Sequence, residues 1–258
     1  MPNNYTENAA LWKQLSEIDY FTMFVKAWIP FNAWMRNAYD LKQDRQIINE
    51  IKNNNNRFKD RLKNLILSDS SDSNILKTYI QNLHLRLQEI PLNLDGQNRV
   101  SFENIVVEQN NITTHTFDYT DVRYVVRKNA NDWISEATKI STSTIIFSYT
   151  HNKYDLNDLI SQSSYIGLTD IRKRMMKQCY DEVNPRKPYN LLSTDSRNCI
   201  QCGNIKFIND GELLVKGLIE ILYLLRNGLF HGEIVPDRQT AKIYEQGYHI
   251  LKMGIEQI

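Results

Sequence analysis

Apolar residues recur at helical spacing over most of this chain and alternate only in its middle. Runs at about Ala9 to Asp40 and Gln43 to Leu67 predict long helices, the first divided by Pro30. In the second, Ile47, Ile48, Ile51, Phe58, Leu62 and Leu65 drift into one stripe. Asn53 to Asn56 lies inside that pattern, and because asparagine competes for backbone hydrogen bonds the run marks either a break or a solvent-facing weak point. Ser68 to Ser73 reads as a polar linker with capping residues. Ile75, Tyr79, Ile80, Leu83, Leu87 and Ile90 then predict a third helix closed by Pro91.

The middle changes character. Arg99 to Glu108 alternates through Val100, Phe102 and Ile105 to Val107, and Asn110-Asn111 turns it toward a partner at Ile112 to Tyr119, which predicts an inserted hairpin. That hairpin is also a candidate lid. Val122, Val125, Val126, Ala130, Trp133, Ile134 and Ala137 fall at helical spacing, and Thr144 to Tyr149 reads as a strand or a loop. Leu156 to Ile160 and Leu168 to Tyr180 predict two short helices before a polar, proline-containing loop.

With 258 residues the chain can bury a full hydrophobic core in one large domain or in a core domain with an insertion. Its 31 Lys and Arg against 30 Asp and Glu give a net charge of +1, so there is no global basic field and any nucleic-acid contact must come from local patches. Three cysteines argue against a disulfide framework. Together with an N-terminus that has no basic or continuously apolar leader pattern, they lead us to expect a cytoplasmic protein. No apolar run reaches the 18 or so residues needed to span a bilayer, since Lys26, Pro30 and Asn32 interrupt the nearest one.

Cys199-Ile200-Gln201-Cys202-Gly203 has the spacing of half a zinc site, but only Cys179 and scattered histidines remain to complete it, so the pair reads as two ordinary thiols. Two basic runs stand out, Arg57, Lys59, Arg61 and Lys63, and the denser Arg172, Lys173, Arg174 and Lys177. Each reads first as the solvated face of a helix. The second is the better candidate for phosphate contacts, with Tyr165, Tyr180 and Tyr189 nearby in sequence to stack on unpaired bases or simply to pack.

The chemistry-bearing stretch is Leu224-Leu225-Arg226-Asn227-Gly228-Leu229-Phe230-His231-Gly232, where an arginine and a histidine end an apolar helical run. Arg226 can hold a phosphate in its planar fork of donors, and His231 carries an imidazole, the side-chain type suited to take and give a proton near neutral pH. Five residues at about 100° each place the two side chains roughly 140° apart on a straight helix. Convergence therefore requires that the helix loosen at Gly228 and end at Gly232, or that two copies meet across a two-fold axis. A purely structural reading stands beside this one, in which Arg226 pairs with Glu220 or Glu233 and His231 caps the helix.

Arg226, Asn227 and His231 match the R-N-x-x-x-H form of the motif of the HEPN superfamily, which the chain resembles at both ends. Ile219 to Leu225 supplies the preceding apolar helix, Pro236 opens a further helical pattern through Ile243, Tyr244, Ile250, Leu251 and Ile255, and Tyr20 to Met35 resembles the aromatic first helix of HEPN-like bacterial defence proteins. The resemblance implies a mainly α fold: a HEPN-like helical bundle with an inserted β-hairpin and extra short helices. It would be a single domain over 1–258, with core helices at about 9–91 and 211–258 and an insertion at about 92–210. It further implies an endoribonuclease that needs no metal or other cofactor, of a toxin or antiphage (abortive-infection) type. Arg226 and His231 would be catalytic and Asn227 supporting, Arg172, Lys173, Arg174 and Lys177 would contact RNA, and a homodimer would form a composite site, with an antitoxin or sensor as a further partner and no membrane. The alternative is a catalytically silent HEPN-like module that binds RNA or protein.

Overall fold

A computed structural model describes residues 19–94 and 99–258. The expected helix from Ala9 lies outside these residues as far as position 18, as does the N-terminus, where the sequence shows no leader pattern. The chain forms two compact units, one built from the segments up to Val107 and from Tyr189 onward, the other from Glu108–Pro188.

The first unit opens with α1 (Tyr20–Ala38), α2 (Asp44–Asn53), α3 (Arg57–Leu67) and α4 (Ser71–Glu89). Asp19, Asn56 and Ser70 cap α1, α3 and α4 by accepting backbone N–H groups in the first turn, which satisfies donors the helix itself cannot. The asparagine run is a break, because Asn54 ends α2 and Asn56 starts α3. Pro30, by contrast, does not divide α1. It lies on the exposed face, as does Lys26, whose carbonyl loses its helical partner there and is open to water. After 99–107 the unit resumes with the hairpin β5 (Cys199–Cys202) and β6 (Ile205–Ile208), and closes with α8 (Gly211–Phe230) and α9 (Arg238–Ile255). Helix α8 is the axis, buried on nearly every side along its length and packed on α2 and α3. Helix α9 lies on α1 and α4, with Phe24 and Tyr244 meeting edge to face at 5.4 Å.

The segment 99–107 is not half of a hairpin and not a lid. Val100, Phe102, Ile105 and Val107 are buried in the helical core, and Ile105 bridges to Tyr189. The strand expected to pair with it, β1 (Thr114–Tyr119), belongs to the second unit and pairs with β2 (Val122–Asn129) instead.

That second unit is an antiparallel meander, β1-β2-β3-β4, completed by β3 (Asp132–Lys139) and β4 (Thr144–His151). Helices α5 (Leu156–Ser161), α6 (Ser163–Ile166) and α7 (Asp170–Glu182) follow. The positions read as a helix between Val122 and Ala137 are two strands. Val122, Tyr124 and Val126, then Trp133, Ser135 and Ala137, alternate inward against Met175, Met176 and Tyr180 of α7. The fold is accordingly α/β, with nine helices, a four-stranded sheet and a two-stranded sheet among the described residues, and not a mainly helical bundle carrying one hairpin. No helix among the described residues is long and apolar enough to cross a membrane.

Candidate active site

Helix α8 starts where Asp210 accepts the Leu213 N–H at 2.9 Å and ends in a closed turn after Phe230. His231 is the last residue of helical conformation, and Gly232 takes φ +68, which favours glycine. The N–H of Glu233 reaches the Gly228 carbonyl at 2.9 Å and that of Gly232 the Leu229 carbonyl at 3.4 Å, a Schellman closure that satisfies the last carbonyls. Gly232 thus ends the helix as the sequence implies. Gly228 does not loosen it; a Cβ there would come within 2.7 Å of Leu94, so this glycine serves a close approach between helix and core. The helix stays regular through Phe230, and Arg226 and His231 leave it on different sides.

Arg226 points toward α2. Its Nη2 lies 3.1 Å from Asp44 Oδ2, its Nη1 donates to Asn227 Oδ1 at 3.0 Å, and its guanidinium sits 4.8 Å from the Phe230 ring centre. Nε is closed off from solvent and meets no acceptor among the described residues. Asn227 is buried, so its amide is a fixed brace for the arginine. His231 is exposed at the helix end. Asp44 is shared, because its Oδ1 accepts from Arg36 Nη2, while Arg36 Nη1 donates to the carbonyls of Leu41 (3.3 Å) and Lys42 (3.0 Å).

Glu220, one turn and a half earlier on α8, is not the partner of Arg226. It accepts from Arg45 at 2.6 Å and from the buried Lys52 at 2.7 Å, and Arg45 lies over the Tyr223 ring at 4.3 Å. Burial pushes the Lys52 ammonium below its ordinary range, and the Glu220 carboxylate pulls it back. Further up α8, Glu212 accepts from Lys59 and Lys63 at 2.7 and 2.8 Å; burial acts to raise its carboxyl, but these two cations outweigh it and hold it low. The first basic run is therefore not a solvated face throughout, since Lys59 is buried.

The second basic run lies on α7, in the other unit. Arg174 and Lys177 are exposed, Arg172 and Lys173 half-buried, and Lys177 pairs with Asp181 at 2.7 Å. Tyr165 and Tyr180 are buried and cannot stack on bases. Tyr165 donates to the Lys173 carbonyl, whereas Tyr180 Oη accepts the Asp155 N–H at 2.9 Å and faces His151 Nε2 at 3.1 Å. Cys202 and Cys179 are buried, which pushes both thiols up to about 12 and makes them inert. Among the described residues no group of three or more His, Cys, Asp or Glu side chains is placed to hold a metal ion.

Two residues of the site escaped the sequence reading. Arg36 in the last turn of α1 and Asp44 in the first turn of α2 look from sequence like ordinary partners of the helix dipole, and only the packing of α2 on α8 brings them to Arg226. Comparison with models of protein families, with curated proteins and with solved structures finds no match.

Proposed function

We propose that the chain is a HEPN-type endoribonuclease that cuts RNA without a metal, acting in the cytoplasm as a toxin or in antiphage defence. The observation that carries this reading is the end of α8: an arginine braced by a buried asparagine, followed by an exposed histidine on the closing turn of the same helix. In the proposed reaction the RNA 2′-hydroxyl attacks the adjacent phosphorus, the new 2′-O–P bond forms as the P–O5′ bond breaks, and a 2′,3′-cyclic phosphate and a 5′-hydroxyl result. One proton leaves the 2′-oxygen and one reaches the departing 5′-oxygen. His231 does one of these jobs, and His231 of a second copy does the other. Arg226 holds the non-bridging oxygens and stabilises their growing charge. Arg226 and His231 leave one straight helix on different sides, and this favours a site shared by two copies.

One observation favours the competing reading, a silent module that binds RNA or a protein: the Arg226 donors already hold Asp44 and Asn227. Incubation of the purified chain with end-labelled RNA in excess EDTA separates the two. The ribonuclease reading expects cleavage that falls by at least about 100-fold in Arg226→Ala and in His231→Ala, both checked for fold and oligomeric state. RNA binding without cleavage by the wild type would leave the silent module.

A further inference from the structure

The feature that calls for explanation is a pair of arginines on a single carboxylate, one from the motif and one from outside it. Asp44 accepts from Arg36 through Oδ1 and from Arg226 through Oδ2, so two guanidinium groups from α1 and α8 are drawn to the same small anion at the start of α2. One carboxylate neutralises one of them and leaves a positive charge uncompensated. The surroundings add to it. Among the described residues, the cations Arg36, Arg45, Lys52 and Arg226 between α1, α2 and α8 pair with the anions Asp44 and Glu220 alone, an excess that the chain's net charge of +1 conceals.

We propose that Arg36 and Arg226 together form the binding site for an RNA phosphodiester, with Asp44 holding that place when RNA is absent. This rests on the ribonuclease reading for the identity of the ligand. A phosphodiester presents two non-bridging oxygens and one negative charge, as the carboxylate does, so it can take the same two arginines in the same bridging manner. Arg36 is already aimed by the Leu41 and Lys42 carbonyls, and Arg226 by Asn227. When Asp44 withdraws, the Nη2 of Arg226 is released beside an Nε that has no acceptor, which frees one whole edge of the guanidinium for bidentate contact. Exposure fits this order of events. The Arg36 side chain is 41% exposed while those of Asp44 and Arg226 are 18% and 21% exposed, so the ligand enters past Arg36. No described side chain caps the first turn of α2, and the positive end of its dipole adds a favourable field for the arriving anion.

The test measures binding of a fully 2′-O-methylated single-stranded RNA, which has no attacking hydroxyl and stays intact, to the wild type, Asp44→Asn, Arg36→Gln and the double variant. Asp44→Asn keeps the shape and removes the competing charge, so it should bind about tenfold tighter. Asp44→Ser, which also shortens the side chain, should move in the same direction. Arg36→Gln should weaken binding and flatten the slope of log affinity against log salt by about 0.7, the loss of one phosphate contact on a single strand. The double variant should lose the gain of Asp44→Asn. Unchanged or weaker binding by Asp44→Asn, a gain that survives without Arg36, or no binding by either the wild type or Asp44→Asn would overturn the proposal. Unmodified RNA assayed for cleavage in parallel tells the two ideas apart. Cleavage with no gain from Asp44→Asn sinks the arginine pair alone, whereas the expected binding pattern with no cleavage sinks the ribonuclease alone.

Discussion

The two units treat charge in opposite ways. In the helical unit Lys52, Lys59 and Glu220 are buried, and each is met by an opposite charge from another helix. In the sheet unit, among the described residues, no Lys, Arg, Asp or Glu is buried; its ion pairs lie at the surface, some between neighbouring strands, such as Arg127 with Glu136, and some within a helix, such as Lys177 with Asp181. What the second unit does bury is neutral, the ring of His151 against Tyr180. Burying a charge costs several kcal/mol unless a partner is fixed in place. Where cations are nonetheless held dry and oriented, they are already arranged to meet an anion, and that is where Arg226 lies. The cations of α7 have the opposite character, half-buried or exposed at the surface, suited to sequence-independent attraction at most.

Removing one partner should expose this contrast. Glu220→Gln leaves the Lys52 ammonium buried with no carboxylate, and unfolding by urea should show a loss of about 3–5 kcal/mol. A loss below about 1 kcal/mol would mean that Lys52 sheds its proton or reaches water at little cost, and the contrast would fail. An intermediate effect is expected from acid. Burial lowers the His151 imidazole below its ordinary value, against the pull of Asp158, with Asp155, Tyr149 and Tyr180 also facing it. Above about pH 6.5 the ring is neutral folded or unfolded. As pH falls through 6.5 the unfolded chain gains a proton that the folded ring resists, so stability falls. His84 and His249 are lowered in the same way by burial in the other unit. Thermal unfolding between pH 7.5 and 5.5 should lose stability in the wild type and lose less of it in His151→Gln; equal slopes would remove His151 from the account. The smallest effect belongs to Arg127→Ala, which breaks a surface pair and should leave the melting temperature unchanged within error.

The same division runs through what the sequence made legible. In the helical unit the stripes of α2 and α3 and the glycine that ends α8 follow from local chemistry and read correctly, and of the two readings open for the Asn run the structure takes the break. The sheet did not. Its hairpin turns place Thr120, Ala130 and Ser143 at positive φ, where glycine or asparagine is the usual signal, so the reversals were weakly marked. Tyr124 and Ser135 face inward but were not counted as apolar, and without them the remaining Val, Trp and Ala positions mimic a helix. At the site, the motif residues were visible as a pattern, but their partners were not. Asp44 and Arg36 are joined to Arg226 only by tertiary packing, and no spacing in the chain encodes that.

The most direct test of the central claim, that Arg226 and His231 support attack by the 2′-hydroxyl, is the chemistry of the cut ends. RNA incubated with the purified chain in excess EDTA and examined by mass spectrometry should yield 2′,3′-cyclic phosphate and 5′-hydroxyl termini, and a single 2′-O-methyl group at a cleaved position should abolish that cut. Fragments ending in 3′-hydroxyl and 5′-phosphate, or cutting that persists beside the 2′-O-methyl group, would contradict the account.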